Sequence, residues 1–382
     1  MPNKLYRRRH PFRLFFLVQS LTSCQSFIDI PIALDDHLHL VKLTVDALPQ
    51  MPIVDTGCPL TMFVLQKWYE KRYHPKRCWD LRTLCYDPLP DAPGNPKVNR
   101  TIRFPHEGEI TIFDHHGMFE IDHDDIGDFK FGLICDKQDL SDVSGEPHSL
   151  FGLGLRPHGE AHMSIIEQLY DKGKVNELSF SIYLEPSRSY LYAGLLRMGG
   201  SDHQKYIRPM QYAPITNDWE WAVHIDYVDV NHNRVPAFGD KAYVDTGTNY
   251  VHVPAQYWQT FRGYLEKASG LRLGVIEPEG IFTLACANIA ALPDIHFGVR
   301  GFQSTFRFTI APAVYVRPLT QVNCYIKFDK SSQNNWIIPN FALVGQYLHF
   351  SPHGVGTYER PVIGFAKLKN SKGALMRKSV KE

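Results

Sequence analysis

Along residues 27–56 apolar and polar positions alternate at the period of a β-strand. Phe27-Ile28-Asp29-Ile30 and His37-Leu38-His39-Leu40 keep that alternation, which predicts strands with one buried face. After Leu40 the apolar set shifts to Val41, Leu43 and Val45. A phase slip of this kind predicts a bulge or a bend. Pro49 and Pro52 then break the ladder before Ile53-Val54. Helical periodicity occurs in two places. Ile165, Ile166, Leu169 and Tyr170 share one face and stop at Gly173; Tyr257, Trp258, Phe261, Tyr264, Leu265 and Ala268 form a second stripe between Pro254 and Gly270. Residues 86–97 read as a Pro-rich loop, and the rest as short strands and turns. The 27 Gly and 26 Pro of the 382 residues, with 13% aromatics, suit a turn-rich β protein.

Charge narrows the picture. Lys and Arg number 41 against 40 Asp and Glu. That balance argues against a nucleic-acid partner held by bulk charge, which needs a basic face. The 18 histidines would make the chain strongly basic near pH 5. No apolar run approaches the ~20 residues of a membrane span, so no transmembrane segment is expected. Near the start, Lys4, Arg7, Arg8, Arg9 and Arg13 precede Leu14-Phe15-Phe16-Leu17-Val18 and then Ser20 and Thr22-Ser23-Cys24. Residues 1–26 therefore read as a signal peptide or a basic tail, the former placing the protein in a secreted or endolysosomal compartment. Residues 368–382 read as a basic C-terminal tail. Without Cys24, six cysteines remain. Cys78 and Cys85 lie seven apart and Cys286 and Cys324 lie 38 apart, and an oxidising compartment would permit both pairs to bridge. Asn99-Arg100-Thr101 is a glycosylation sequon. His115, His116, Asp122, His123, Asp124 and Asp125 read as a solvated hairpin rather than a metal site.

The informative feature is an internal duplication. Ile53-Val54-Asp55-Thr56-Gly57 recurs as Tyr243-Val244-Asp245-Thr246-Gly247, the two aspartates 190 residues apart. Leu150-Phe151-Gly152 begins 95 residues after the first aspartate, and Ile337-Ile338-Pro339 begins 92 after the second. Two lobes related by a pseudo-twofold would bring both loops to one cleft. Two carboxylates held face to face cannot both ionise, so they share a proton and titrate as a unit. The ionised partner can deprotonate a water while the neutral one polarises a peptide carbonyl, which is general acid–base hydrolysis without a covalent intermediate.

On these residues the chain resembles the pepsin-like aspartic proteases over about residues 27–367. Phe151-Gly152-Leu153-Gly154-Leu155, Phe180-Ser181-Ile182-Tyr183-Leu184, Leu191-Tyr192-Ala193-Gly194 and Ile363-Gly364-Phe365 extend the resemblance. It implies an all-β, bilobal fold with lobes over 27–188 and 189–367, and disulfides Cys78–Cys85 and Cys286–Cys324. It further implies that Asp55 and Asp245 are the catalytic pair. Thr56, Gly57, Thr246, Gly247 and Thr248 would support the loops, the two threonines bracing them across the pseudo-twofold and Thr248 donating to Asp245. Phe104 would occupy the flap position over a peptide or protein substrate. The resemblance implies a monomeric, proteolytic enzyme working at acid pH, with no cofactor and no metal. Three departures near the site, at Cys58, Phe104 and Pro339, keep a weakened or inactive peptide-binding module open as the alternative, and a fourth bears on activation. Cys58 replaces the usual serine, and because a thiol is a weak donor the pair should titrate higher. Phe104 replaces the flap tyrosine. Pro339 replaces a glycine and removes an amide donor, so the loop under Asp245 should sit differently. Only 26 residues precede Phe27, too few for a full propeptide.

Overall fold

The computed structural model describes residues 26–35, 37–88, 99–104, 108–138, 145–157, 163–186, 193–276, 280–331 and 333–369. The basic leader over 1–25, most of the Pro-rich loop, the hairpin tip at 105–107, Leu191 and Tyr192, the lobe boundary near 188 and the tail beyond 369 lie outside the described residues.

The chain folds as expected into an all-β, bilobal structure with a few short helices. Among the described residues a 15-stranded sheet passes through both halves, and 7-stranded and 4-stranded sheets complete the C-terminal half. Phe180–Leu184 joins the halves: it pairs antiparallel with Gly194–Met198 on one edge and with Gln346–Ser351 on the other. All five of its residues are buried, as expected of a strand covered on both faces. Phe180 and Phe350 stack with ring centroids 4.7 Å apart, and Trp221 meets Phe350 edge-on at 5.2 Å.

The duplicated sequence becomes duplicated topology. Ile53–Asp55 runs parallel to Leu150–Gly152, with Asp55 opposite Gly152. The end of Asn233–Asp245 runs parallel to Trp336–Pro339, with Asp245 opposite Pro339. A third strand crosses each pair antiparallel, Met62 opposite Leu150 and His252 opposite Ile337. Each aspartate thus ends a strand embedded in its own sheet.

Several expectations change. The phase slip after Leu40 is a break at Lys42 between Leu38–Val41 and Leu43–Val45. Pro49 does not end the ladder: it lies exposed inside Leu48–Gln50, an edge strand that needs no outward donor there. Helices form at Ile165–Asp171 and Trp258–Ser269 as the periodicity predicts, the second ending on Gly270 at φ 68°. Helices at Gln66–Arg72 and Pro312–Tyr315 are additional. The first has one fully buried position, Tyr69, so it carries no apolar stripe to read. The basic tail does not start at 368. Leu368 is buried, its amide donates to Gly345 O at 3.0 Å, and Lys369 N donates to Lys205 O at 2.8 Å. At the other end Ser26 is tied in through Ser26 Oγ donating to Lys174 O. His115 is not solvated: it is 2% exposed, with Nε2 3.2 Å from the Tyr86 hydroxyl. The disulfides Cys78–Cys85 and Cys286–Cys324 are both formed, leaving Cys58 and Cys135 free among the described residues.

Candidate active site

The two Asp-Thr-Gly loops meet between the halves. Asp55 Oδ1 accepts from the amides of Gly57 at 2.8 Å and Cys58 at 3.1 Å, and Asp245 Oδ1 accepts from Gly247 N at 2.9 Å. Each carboxylate is therefore aimed by its own turn. It also lies against the other turn. A methyl placed on Gly57 would sit 2.6 Å from the Asp245 carboxylate, and one on Gly247 would sit 2.6–2.8 Å from that of Asp55. Only glycine leaves room for that approach.

The threonines between them lock the pair. Thr56 Oγ1 donates to Val244 O and Thr246 Oγ1 to Val54 O, both at 2.7 Å. Each hydroxyl also accepts the other threonine's amide at 3.0 Å. Four buried hydrogen bonds therefore cross the pseudo-twofold. Thr248 Oγ1 lies 3.3 Å from His252 Nε2. Cys58 is buried, with its thiol toward Leu60 O at 3.7 Å. Burial pushes that thiol's pKa up, and the charges of Asp55 and Asp245 add to the effect.

The two platforms differ underneath. In the N-terminal half, Leu153 N donates to Asp55 O at 2.7 Å and Gly152 N to Thr61 Oγ1 at 3.2 Å. In the C-terminal half, Pro339 has no amide hydrogen, and the next amide, Asn340 N, donates to Thr248 O at 3.3 Å.

A cleft of about 490 Å³ opens over both aspartates. Phe104 lines it from the hairpin Asn99–Phe104/Gly108–Ile121. Leu38, Ile53, Ile110, Ile134 and Leu150 form the apolar part of the N-terminal wall, with Lys137 and His148 beside them. The opposite wall carries Trp219, Glu220, Trp221 and Tyr243, none of them anticipated from sequence. Period two along Asn233–Asp245 was the available signal, because it turns Tyr243 to the same side as Asp245. Glu220 accepts from Tyr243 Oη at 3.1 Å, Lys241 Nζ at 3.0 Å and Asn217 Nδ2 at 2.6 Å. Burial works against its charge, but the bonds from Asn217 and Lys241 hold its carboxyl below the usual range. Trp221 Nε1 donates to Leu153 O at 2.8 Å, tying the two walls together.

Comparison with known proteins points to one family. The family described as "Eukaryotic aspartyl protease" matches residues 118–367, a span that includes Asp245 and begins after Asp55. Pepsin B of Canis lupus familiaris is 30% identical over 155 residues, covering 40% of this chain and 37% of that protein. Gastricsin of Oryctolagus cuniculus is 26% identical over 254 residues, covering 64% and 62%. Pregnancy-associated glycoprotein 1 of Ovis aries is 24% identical over 179 residues, covering 46% and 43%. The chain thus spans between about a third and two thirds of these relatives' lengths.

Proposed function

The chain belongs to the eukaryotic aspartyl protease family, and from that premise we propose that it is an endopeptidase whose Asp55 and Asp245 act as one water-activating pair. The observation that carries this reading is the reciprocal fit of each carboxylate against the glycine of the other loop. Two carboxylates so close share a proton. The ionised one draws a proton from a water lying between them, and the neutral one donates to the carbonyl oxygen of the peptide. The tetrahedral intermediate then collapses as the amine leaves with a proton. The cross-lobe threonine bonds hold the geometry without reorganisation during the reaction. The substrate is an extended peptide, its bulky apolar side chain against Ile53, Phe104, Ile110 and Leu150. The protein works as a monomer on the acid side of neutrality, in the secretory or endolysosomal system. Its two disulfides support that location, and no helix among the described residues is long and apolar enough to cross a membrane.

Cleavage of an unfolded protein between about pH 3 and pH 7 tests the reading, with Asp245→Asn and Asp55→Asn as controls. Turnover lost in both variants and blocked by a statine-type inhibitor is the expected result. One observation favours a second reading. The Cys58 thiol faces Leu60 O, so the pair has a weak donor where the resemblance implies a serine hydroxyl. A folded protein that binds the inhibitor and cleaves nothing would establish a peptide-binding module instead.

A further inference from the structure

We infer that Asn99 is an N-glycosylation site, its sugar carried on the solvent face of the hairpin that lines the cleft. Asn99-Arg100-Thr101 is the one Asn-x-Ser/Thr in the 382 residues, and its middle residue is not proline. The structure adds what the motif alone lacks. Along Asn99–Phe104, exposure alternates strictly: Asn99, Thr101 and Arg103 face solvent, while Arg100, Ile102 and Phe104 turn inward. Residues i and i+2 of a strand share a face, so the acceptor amide and the threonine hydroxyl project together into open solvent. Arg100 points the other way and meets Asp114 at 2.8 Å. Phe104, on the inward face, lines the cleft. A glycan on Asn99 therefore leaves the cleft open.

The strand is also an edge. It pairs with Gly108–Ile121 and with no other strand among the described residues. Exposed edges invite pairing with other chains, and a bulky hydrophilic group is one way to blunt them. The compartment is consistent, since disulfides persist where the lipid-linked sugar donor is also found. In the reaction the Asn99 amide nitrogen forms a bond to the anomeric carbon of an oligosaccharide carried on a lipid pyrophosphate. The anomeric C–O bond breaks, the pyrophosphate leaves with its electron pair, and the amide proton passes to a base of the transferase. The inference does not depend on proteolytic activity.

The test is expression of the full chain in cultured animal cells. The peptide spanning residue 99 is analysed before and after peptide-N-glycosidase in ¹⁸O-water, which converts a glycosylated asparagine to ¹⁸O-labelled aspartate. Cysteines are alkylated under non-reducing conditions in the same sample. The expected result is label at position 99 in protein carrying both disulfides. Thr101→Ala and Asn99→Gln should abolish the accompanying gel shift, and Thr101→Ser should retain it. Because both positions are exposed, unchanged thermal melting of these variants shows that the loss is not misfolding. Unmodified Asn99 in disulfide-bonded protein overturns the inference. So does recovery of the protein with all four bridge thiols free, since the chain then never meets the transferase.

Discussion

Acidification should weaken this fold well before it protonates the carboxylates, because the interior holds neutral histidines. His349 is 4% exposed, in a strand flanked by Ser181 and Gly364, and neither ring nitrogen has a hydrogen-bond partner. Burial, with the nearby charge of His203, lowers its pKa from 6.5 to about 4. His39 is 5% exposed, and burial lowers its pKa to about 3, with Lys327 and Arg317 reinforcing the effect. Above pH 6.5 both residues are neutral in folded and unfolded chain alike, and stability is complete. Below 6.5 the unfolded chain takes up protons that the folded one refuses, so stability falls until each folded-state value is reached. At 1.4 kcal/mol per pH unit, each residue costs about 3 kcal/mol by pH 4. Together they remove about 6 kcal/mol, against a typical domain stability of roughly 5–15 kcal/mol. Urea unfolding followed by tryptophan fluorescence at about pH 7.5, 6 and 4 measures the slope. His349→Phe should lose about 3 kcal/mol less than the parent between the first and last conditions. A parent whose midpoint is flat across that range, or a variant that falls as steeply as the parent, refutes the reasoning.

Gly57→Ala should keep the fold but reduce kcat/KM by about 100-fold or more, because its methyl displaces the Asp245 carboxylate; melting and turnover measured together separate the two effects. Thr56→Val orphans Val244 O and Thr246 N–H and should cost about 3 kcal/mol in denaturant unfolding, with Thr56→Ser restoring most of it. Replacing Cys286 and Cys324 by serine opens a 38-residue separation and should cost about 4 kcal/mol, against about 2 kcal/mol for the Cys78–Cys85 pair at separation seven; equal losses would show that loop entropy is not the main term. Cys58→Ser places a stronger donor beside Asp55 and should move the acid limb of the pH–rate profile downward, and a superimposable profile would dismiss the thiol as a small buried filler.

The duplicated Asp-Thr-Gly and its downstream partners were readable because they are local strings, and their spacing carries over directly into the two parallel registers of Asp55 with Gly152 and Asp245 with Pro339. The long amphipathic helix was readable for the same reason. The cleft's second wall was not. Glu220 looks like any surface carboxylate until Asn217, Lys241 and Tyr243 converge on it. His115 sits in a run of histidines and aspartates that is polar by composition, yet the pleat turns that one residue inward to Tyr86. Pro49 misled because a proline is punctuation inside a sheet and harmless at its edge.

The threonine bonds that cross between the loops also set a timetable. Their partners are 190 residues apart, so a ribosome must deliver Val244 and Thr246 before the first loop acquires its supports. Phe180–Leu184 waits longer still, for Gln346–Ser351 far downstream of it. A nascent or truncated first half would carry Asp55 on an unbraced turn with no facing carboxylate. Hydrolytic competence, on this reading, waits until the second Asp-Thr-Gly loop has been made and has folded against the first, and the cell making the protein meets an inert polypeptide until then.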